Sequence, residues 1–286
     1  MTRTTGVALM IAAPIMWSSA GVVTRHIQQA AAVEQVFWRS LFAFAFVFGV
    51  LTLQRTNPWK AVRAAGIPGL VSGLMWAIMF TAFIFALSLT TTANALVVMS
   101  ISPLLTALFA RMFLKDPVPL RTLLAAAAAA VGIAWMFSTD LSAHYAGMAV
   151  AFMIPVASAI NVVVLRASAA KLDLVPAVML GGGLSCLIAL PFAVPFEASG
   201  RDLALLAFLG VTQLGLPCVL LVLASRALLA PEIALLGLLE VVLGPLWAWL
   251  GAGEEPARHT LTGGALVLAA LAGNELASLR RRWNPV

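Results

Sequence analysis

Only 10% of the 286 residues are charged, and the few side chains able to do chemistry inside the long apolar runs stand out. Glu240 falls near the middle of one such run and Arg39 near one end of another. An ionisable group in hydrocarbon costs about 2.5–3.5 kcal/mol, so each needs a partner, cavity water or a task. Removal from water favours the neutral acid, which makes Glu240 the candidate proton carrier; it could equally bind an amino group or, protonated, join two helices. Arg39 is expected to be structural, in an ion pair that could reach Glu240 or snorkelling to headgroups. Asn161, Gln213 and Asn94 carry amides that must find company in apolar surroundings. Trp17 and Trp76 lie too deep for an interfacial belt, and Met79 shares a helix face with Trp76. Trp17, Trp76, Met79, Asn94, Asn161, Gln213 and Glu240 are therefore the candidate substrate-binding residues, an apolar wall with a polar end.

Other chemistries find no material. His26, His144 and His259 flank apolar runs instead of entering them, so a serine nucleophile at membrane depth would lack its base. No HExxH or GxxxxGK motif occurs, which argues against metal hydrolysis and ATP-driven pumping. Cys186 and Cys218 both sit within apolar runs and suggest neither a disulfide framework nor a thiolate metal site. An ion channel is expected to show a ring of charges or carbonyls, and one Arg with one Glu is poor material for it. The expectation is a non-enzyme with no cofactor and no metal. The net charge of +6 does not imply nucleic acid, because basic residues beside apolar spans are what cytoplasmic membrane loops carry.

These residues must be positioned by helices in a bilayer. A composition 62% hydrophobic exceeds what one water-soluble core can hide. The chain divides into ten apolar runs, at 5–24, 35–53, 67–88, 92–111, 121–138, 146–165, 176–196, 203–225, 232–251 and 261–279. Each approaches the roughly 20 residues a helix needs to cross, and none alternates as a barrel strand would. Most of the 17 Lys and Arg residues fall on the side of the N-terminus, which places both termini in the cytoplasm.

The segment 6–25, GVALMIAAPIMWSSAGVVTR, aligns with 147–166, GMAVAFMIPVASAINVVVLR, and brings Pro14 onto Pro155 and Arg25 onto Arg166. A second pairing brings Pro103 onto Pro245. Residues 1–140 and 141–286 are thus expected to be two five-helix repeats. Five is odd, so the second enters the membrane inverted, the usual construction of secondary transporters that work by alternating access. Pro14, Pro103, Pro155 and Pro217 are expected to break helices, the last helped by Gly215. The Ala-rich stretch 122–132 permits close helix approach within one subunit or between two, leaving monomer and homodimer open.

WSSAGVVTR after Pro14, FWRSLFAF in the second run, ANALVVMSISPLLTALFARMFLKD, and LLEVVLGPLWAWLGAGE resemble the EamA family of the drug/metabolite transporter superfamily. Departures are Asp116, where Glu is common, and Val241 after Glu240, where Pro is common. The resemblance implies an all-α integral membrane protein of ten transmembrane helices. It also implies export of small metabolites from the bacterial cytoplasm across the inner membrane, with YddG-type exporters of aromatic amino acids among its members. Amino acids with aromatic or large apolar side chains are the expected cargo, and other metabolites or drugs the alternative.

Overall fold

The computed structural model describes residues 1–24, 26–89, 95, 98–115, 118–136, 145–252 and 258–283, and these form helices and their connections. In chain order they are α1 (Arg3–Trp17), α2 (Ala20–Thr24), α3 (Ala32–Leu53), α4 (Pro58–Leu89) and α5 (Ser102–Phe109), the last running into a π turn at Ala110–Leu114. Then come α6 (Leu120–Met136), α7 (Tyr145–Ser168), α8 (Val175–Ala193) and α9 (Gly200–Phe208). A π-helical segment, Leu209–Gly215, joins α9 to α10 (Leu216–Ala224), followed by α11 (Ala230–Gly237), α12 (Leu239–Ala252) and α13 (Arg258–Trp283). Six segments are long and apolar enough to cross a membrane among the described residues, with shorter apolar helices at Ser102–Leu114, Leu120–Trp135 and Leu261–Asn274. The protein is a multi-pass integral membrane protein.

The prolines act differently from one another. Pro14 lies inside α1, which ends three residues on, where the Ser18 and Ser19 hydroxyls donate to the Ile15 and Met16 carbonyls (2.8 and 2.7 Å). Those bonds satisfy backbone oxygens that hydrocarbon could not. Pro103 occupies the first turn of α5, where a missing N–H costs nothing, whereas Pro217 opens α10 directly behind the π segment. Pro155 breaks nothing: α7 runs through it without interruption, as membrane helices tolerate when neighbours satisfy the freed carbonyl. Nor do Gly215 and Pro217 break their span; the chain passes Gln213 as a π segment, gaining a residue per turn without losing the helix. The third apolar run starts where expected: within α4 the backbone leaves helical geometry at Gly66 (φ 58°), a conformation cheap only for glycine, so residues 58–65 form a separate helical piece ahead of the span at 67–89.

Four interfaces dominate: α4 against α7 and α8, α3 against α8, and α6 against α13. The α9 to α10 span lies on α1 and α3, and α5 on α7 and α11. Without a hydrophobic force between helices in lipid, close approach depends on small residues. A Cβ added at Gly182 would lie 3.0 Å from the Ser40 carbonyl, and one at Gly73 2.7 Å from Leu180. Buried hydroxyls tie the same helices: Ser40 Oγ donates to Ser185 Oγ, which also pairs with Thr81 Oγ1, both at 3.0 Å.

Two carboxylates at span ends hold backbone of distant segments. Glu34 accepts from the backbone N–H groups of Glu197 and Ala198 (3.1 and 2.9 Å) and from Trp38 Nε1 (3.1 Å). Asp202 accepts from Gln28 and Gln29 N–H (3.2 and 3.0 Å) while completing a capping box with Ser199. Glu232, at the other side, pairs with Arg3 (3.1 Å) and accepts from Leu229 N–H (3.2 Å). The sequence suggests solvated interfacial roles for Glu34 and Glu232; instead both are buried and partnered. Glu275's side chain lies outside the described residues.

Candidate functional site

One cavity of about 820 Å³ runs through the middle of the helices, from Met10 and Ile233 towards one side to Thr24 and Leu87 towards the other. Its walls come from α1, α2, α3, α4, α5, α7, the α9 to α10 span, α11 and α12. Trp17, Trp76, Met79, Asn161, Gln213 and Glu240 all line it, as do Arg39 and Pro155. Asn94 lies outside the described residues. The structure therefore brings six of the seven candidates from five separate spans to one place.

Each is held by a local device. Trp17 ends α1 just before the Ser18–Ser19 break, and Ser18 Oγ in turn accepts from Trp247 Nε1 at 2.7 Å, fixing α12 to α1. Asn161, on α7, accepts from Ser72 Oγ of α4 at 2.6 Å, both residues buried. Gln213 sits in the π segment, whose wider turn presents the amide to Arg39: Arg39 Nη1 donates to its Oε1 at 3.5 Å. Glu240 falls in the first turn of α12, beyond the interruption between α11 and α12 at Leu238. The positive end of that helix favours a carboxylate there. Its carboxyl has no hydrogen-bond or ion-pair partner among the described residues.

Arg39 departs from expectation. It forms no ion pair among the described residues, with Glu240 or any other acid, and it does not snorkel, being 1% exposed. Its Nη2 donates to the Phe80 carbonyl at 2.8 Å, and its guanidinium lies 5.8 Å from the Phe83 ring centroid. A pair of Arg39 with Glu240 would need their two helices to be neighbours. In the fold α3 packs on α4, α8 and the α9 to α10 span, and Glu240 enters the cavity from α12.

Sequence reasoning missed the glycines behind the site. A Cβ on Gly181 of α8 would collide with Trp76 Cβ, and one on Gly210 would lie 2.6 Å from the Arg39 carbonyl. In so apolar a chain, with 21 glycines, neither residue carries a one-dimensional signal. Cys218 also lines the cavity, buried between helices and unpaired with Cys186. No grouping of His, Cys, Asp and Glu suited to a metal occurs among the described residues.

Comparison with known proteins fits this architecture. Residues 4–138 match the EamA-like transporter family. The Pseudopaline exporter CntI of Pseudomonas aeruginosa, in strains UCBPP-PA14 and PAO1, is 28% identical over 248 residues, covering 84% of this chain and 84% of the relative. A solved crystal structure superposes with a TM-score of 0.78 over 98% of this chain and 99% of the other, at 18% identity, a likeness of fold alone.

Proposed function

We propose, from the match of residues 4–138 to the EamA-like transporter family, an exporter of small amphipathic metabolites that works as a secondary transporter by alternating access. The observation that carries this reading is the cavity, which gathers Trp17, Trp76, Met79, Asn161, Gln213 and Glu240 at the meeting of several spans. Its volume of about 820 Å³ suits a metabolite of drug-like size. The relative's activity, export of pseudopaline, supports a small-molecule cargo.

Packing partners support two inverted five-helix units. Exchanging each span for the one five places on turns the contact of α4 with α7 into that of the α9 to α10 span with α1. The contact of α4 with α8 becomes that of the same span with α3, while α3 with α8 and α6 with α13 map onto themselves. On this reading the unit boundary lies near residue 140, both termini are cytoplasmic, and the membrane is the bacterial inner membrane. The Arg3–Glu232 pair then closes the cytoplasmic end, and the cavity faces outward.

Aromatic or large apolar amino acids are the cargo we favour, the Trp and Met side chains forming the wall and Glu240 binding the amino group or carrying a proton. Counterflow of labelled amino acids in liposomes tests this; a panel in which none exchanges refutes the amino-acid cargo. Glu240→Gln is expected to abolish the response to an imposed pH gradient, and a full response afterwards removes Glu240 as the coupling group.

A further inference from the structure

We infer that the cavity seats an anionic group of its solute, a carboxylate, on Arg39 and the indole N–H of Trp76, with Glu240 left to a cationic group of the same solute. This rests on the cavity being a transport site and names the charge pattern of what enters it.

Arg39 is a fixed cation that cannot shed its charge, 1% exposed, with no acidic partner among the described residues. One of its donors is well used, by the Phe80 carbonyl at 2.8 Å; a second reaches Gln213 Oε1 only at 3.5 Å; and Nε has no acceptor. A buried charge left uncompensated is costly, and a membrane helix retains one where a pathway or ligand needs it. Trp76, 3% exposed on α4, also keeps its Nε1 without an acceptor. Unpaired buried donors are rare in native structures. Here two residues on different helices, both lining one cavity, have them.

Both donors are anchored at close helix crossings. The bare backbone of Gly210 meets α3 at Arg39, and that of Gly181 meets α4 at Trp76, so neither helix can drift without opening a gap. That is the preorganisation an anion seat requires. Neutral Gln213 orients the guanidinium without cancelling its charge. Among the described residues Glu240 is the acid lining the cavity, and it makes no ion pair with Arg39. One cation and one anion held apart in a chamber whose other described lining residues are uncharged match an amphoteric solute. A purely cationic one would leave Arg39 uncompensated.

Isothermal titration of the purified protein in nanodiscs tests this with three probes sharing one ring: L-phenylalanine, 3-phenylpropionate and 2-phenylethylamine. The two carboxylates are expected to bind more tightly than the amine alone. Trp76→Phe keeps an aromatic ring, though a smaller one, and removes the N–H, and is expected to weaken both carboxylates about tenfold, as loss of one charge-assisted hydrogen bond does, leaving the amine unchanged. Arg39→Lys should weaken them further. If neither carboxylate binds, or Trp76→Phe weakens all three probes alike, the anion seat is wrong. Counterflow of the wider panel reads the transport proposal separately, since its loss with carboxylate binding intact removes transport and leaves the seat.

Discussion

A single methyl group at Gly210 would test the crossing that holds Arg39. The Cβ of an alanine there would lie 2.5 Å from Phe42 Cβ, 2.6 Å from the Arg39 carbonyl oxygen and 3.1 Å from Ala43 N. Two of these three neighbours are backbone atoms, which cannot rotate away. Ordinary contact needs about 3.5 Å, so the π segment and α3 must part by roughly 1 Å. Overpacking of this kind costs about 1–3 kcal/mol, against about 0.5–1 kcal/mol recovered by replacing glycine in a helix. The net, centred on about 1.3 kcal/mol, is roughly a tenfold fall in the folded-to-unfolded ratio. Denaturant titration of the purified protein in mixed micelles, followed by far-ultraviolet circular dichroism, would read it. Gly49→Ala, on the same α3 with nothing within 4 Å of its new Cβ, is the control and should be neutral or slightly stabilising. Equal stability of the two variants would show that α3 and the π segment do not meet as closely as described.

Ser72→Ala removes the donor to buried Asn161 Oδ1 at 2.6 Å and should cost about 1–3 kcal/mol, read by the same titration; an unchanged midpoint would mean the bond is absent. Glu232→Gln breaks the part-buried pair with Arg3 and should loosen that end of the cavity. A cysteine introduced at Met10, in a chain lacking Cys186 and Cys218, is then expected to react with maleimide about fivefold faster. Cysteines placed at His26 and Arg166 should label from opposite faces of the membrane, and labelling from one face would refute the inverted arrangement.

Most of the spans were legible because hydrophobic length is a one-dimensional quantity: the runs at 35–53, 146–165 and 176–196 reappear as α3, α7 and α8 with small shifts at their ends. The cavity side chains could be chosen by the same logic, since a polar group or tryptophan deep in an apolar run has few reasons to be there. Which groups face one another was not legible. Arg39 and Glu240 suggested a pair on depth alone, yet helix neighbours are set by small residues such as Gly210 and Gly182, whose effect exists only across an interface. Glu34 and Glu232 read as solvated because their partners are backbone N–H groups or a residue more than two hundred positions away. Proline, too, promised breaks at Pro155 and Pro217, but whether a helix yields there depends on what surrounds the freed carbonyl.

The two connections on the Glu34 side are stitched to each other: Glu34 grips residues 197 and 198, and Asp202 grips residues 28 and 29. An affinity tag or fluorescent reporter spliced into either loop would therefore disturb the start of α3 or α9 as well as the loop itself. For anyone building a sensor from this scaffold, those surface turns are poor insertion sites despite their position at the water boundary.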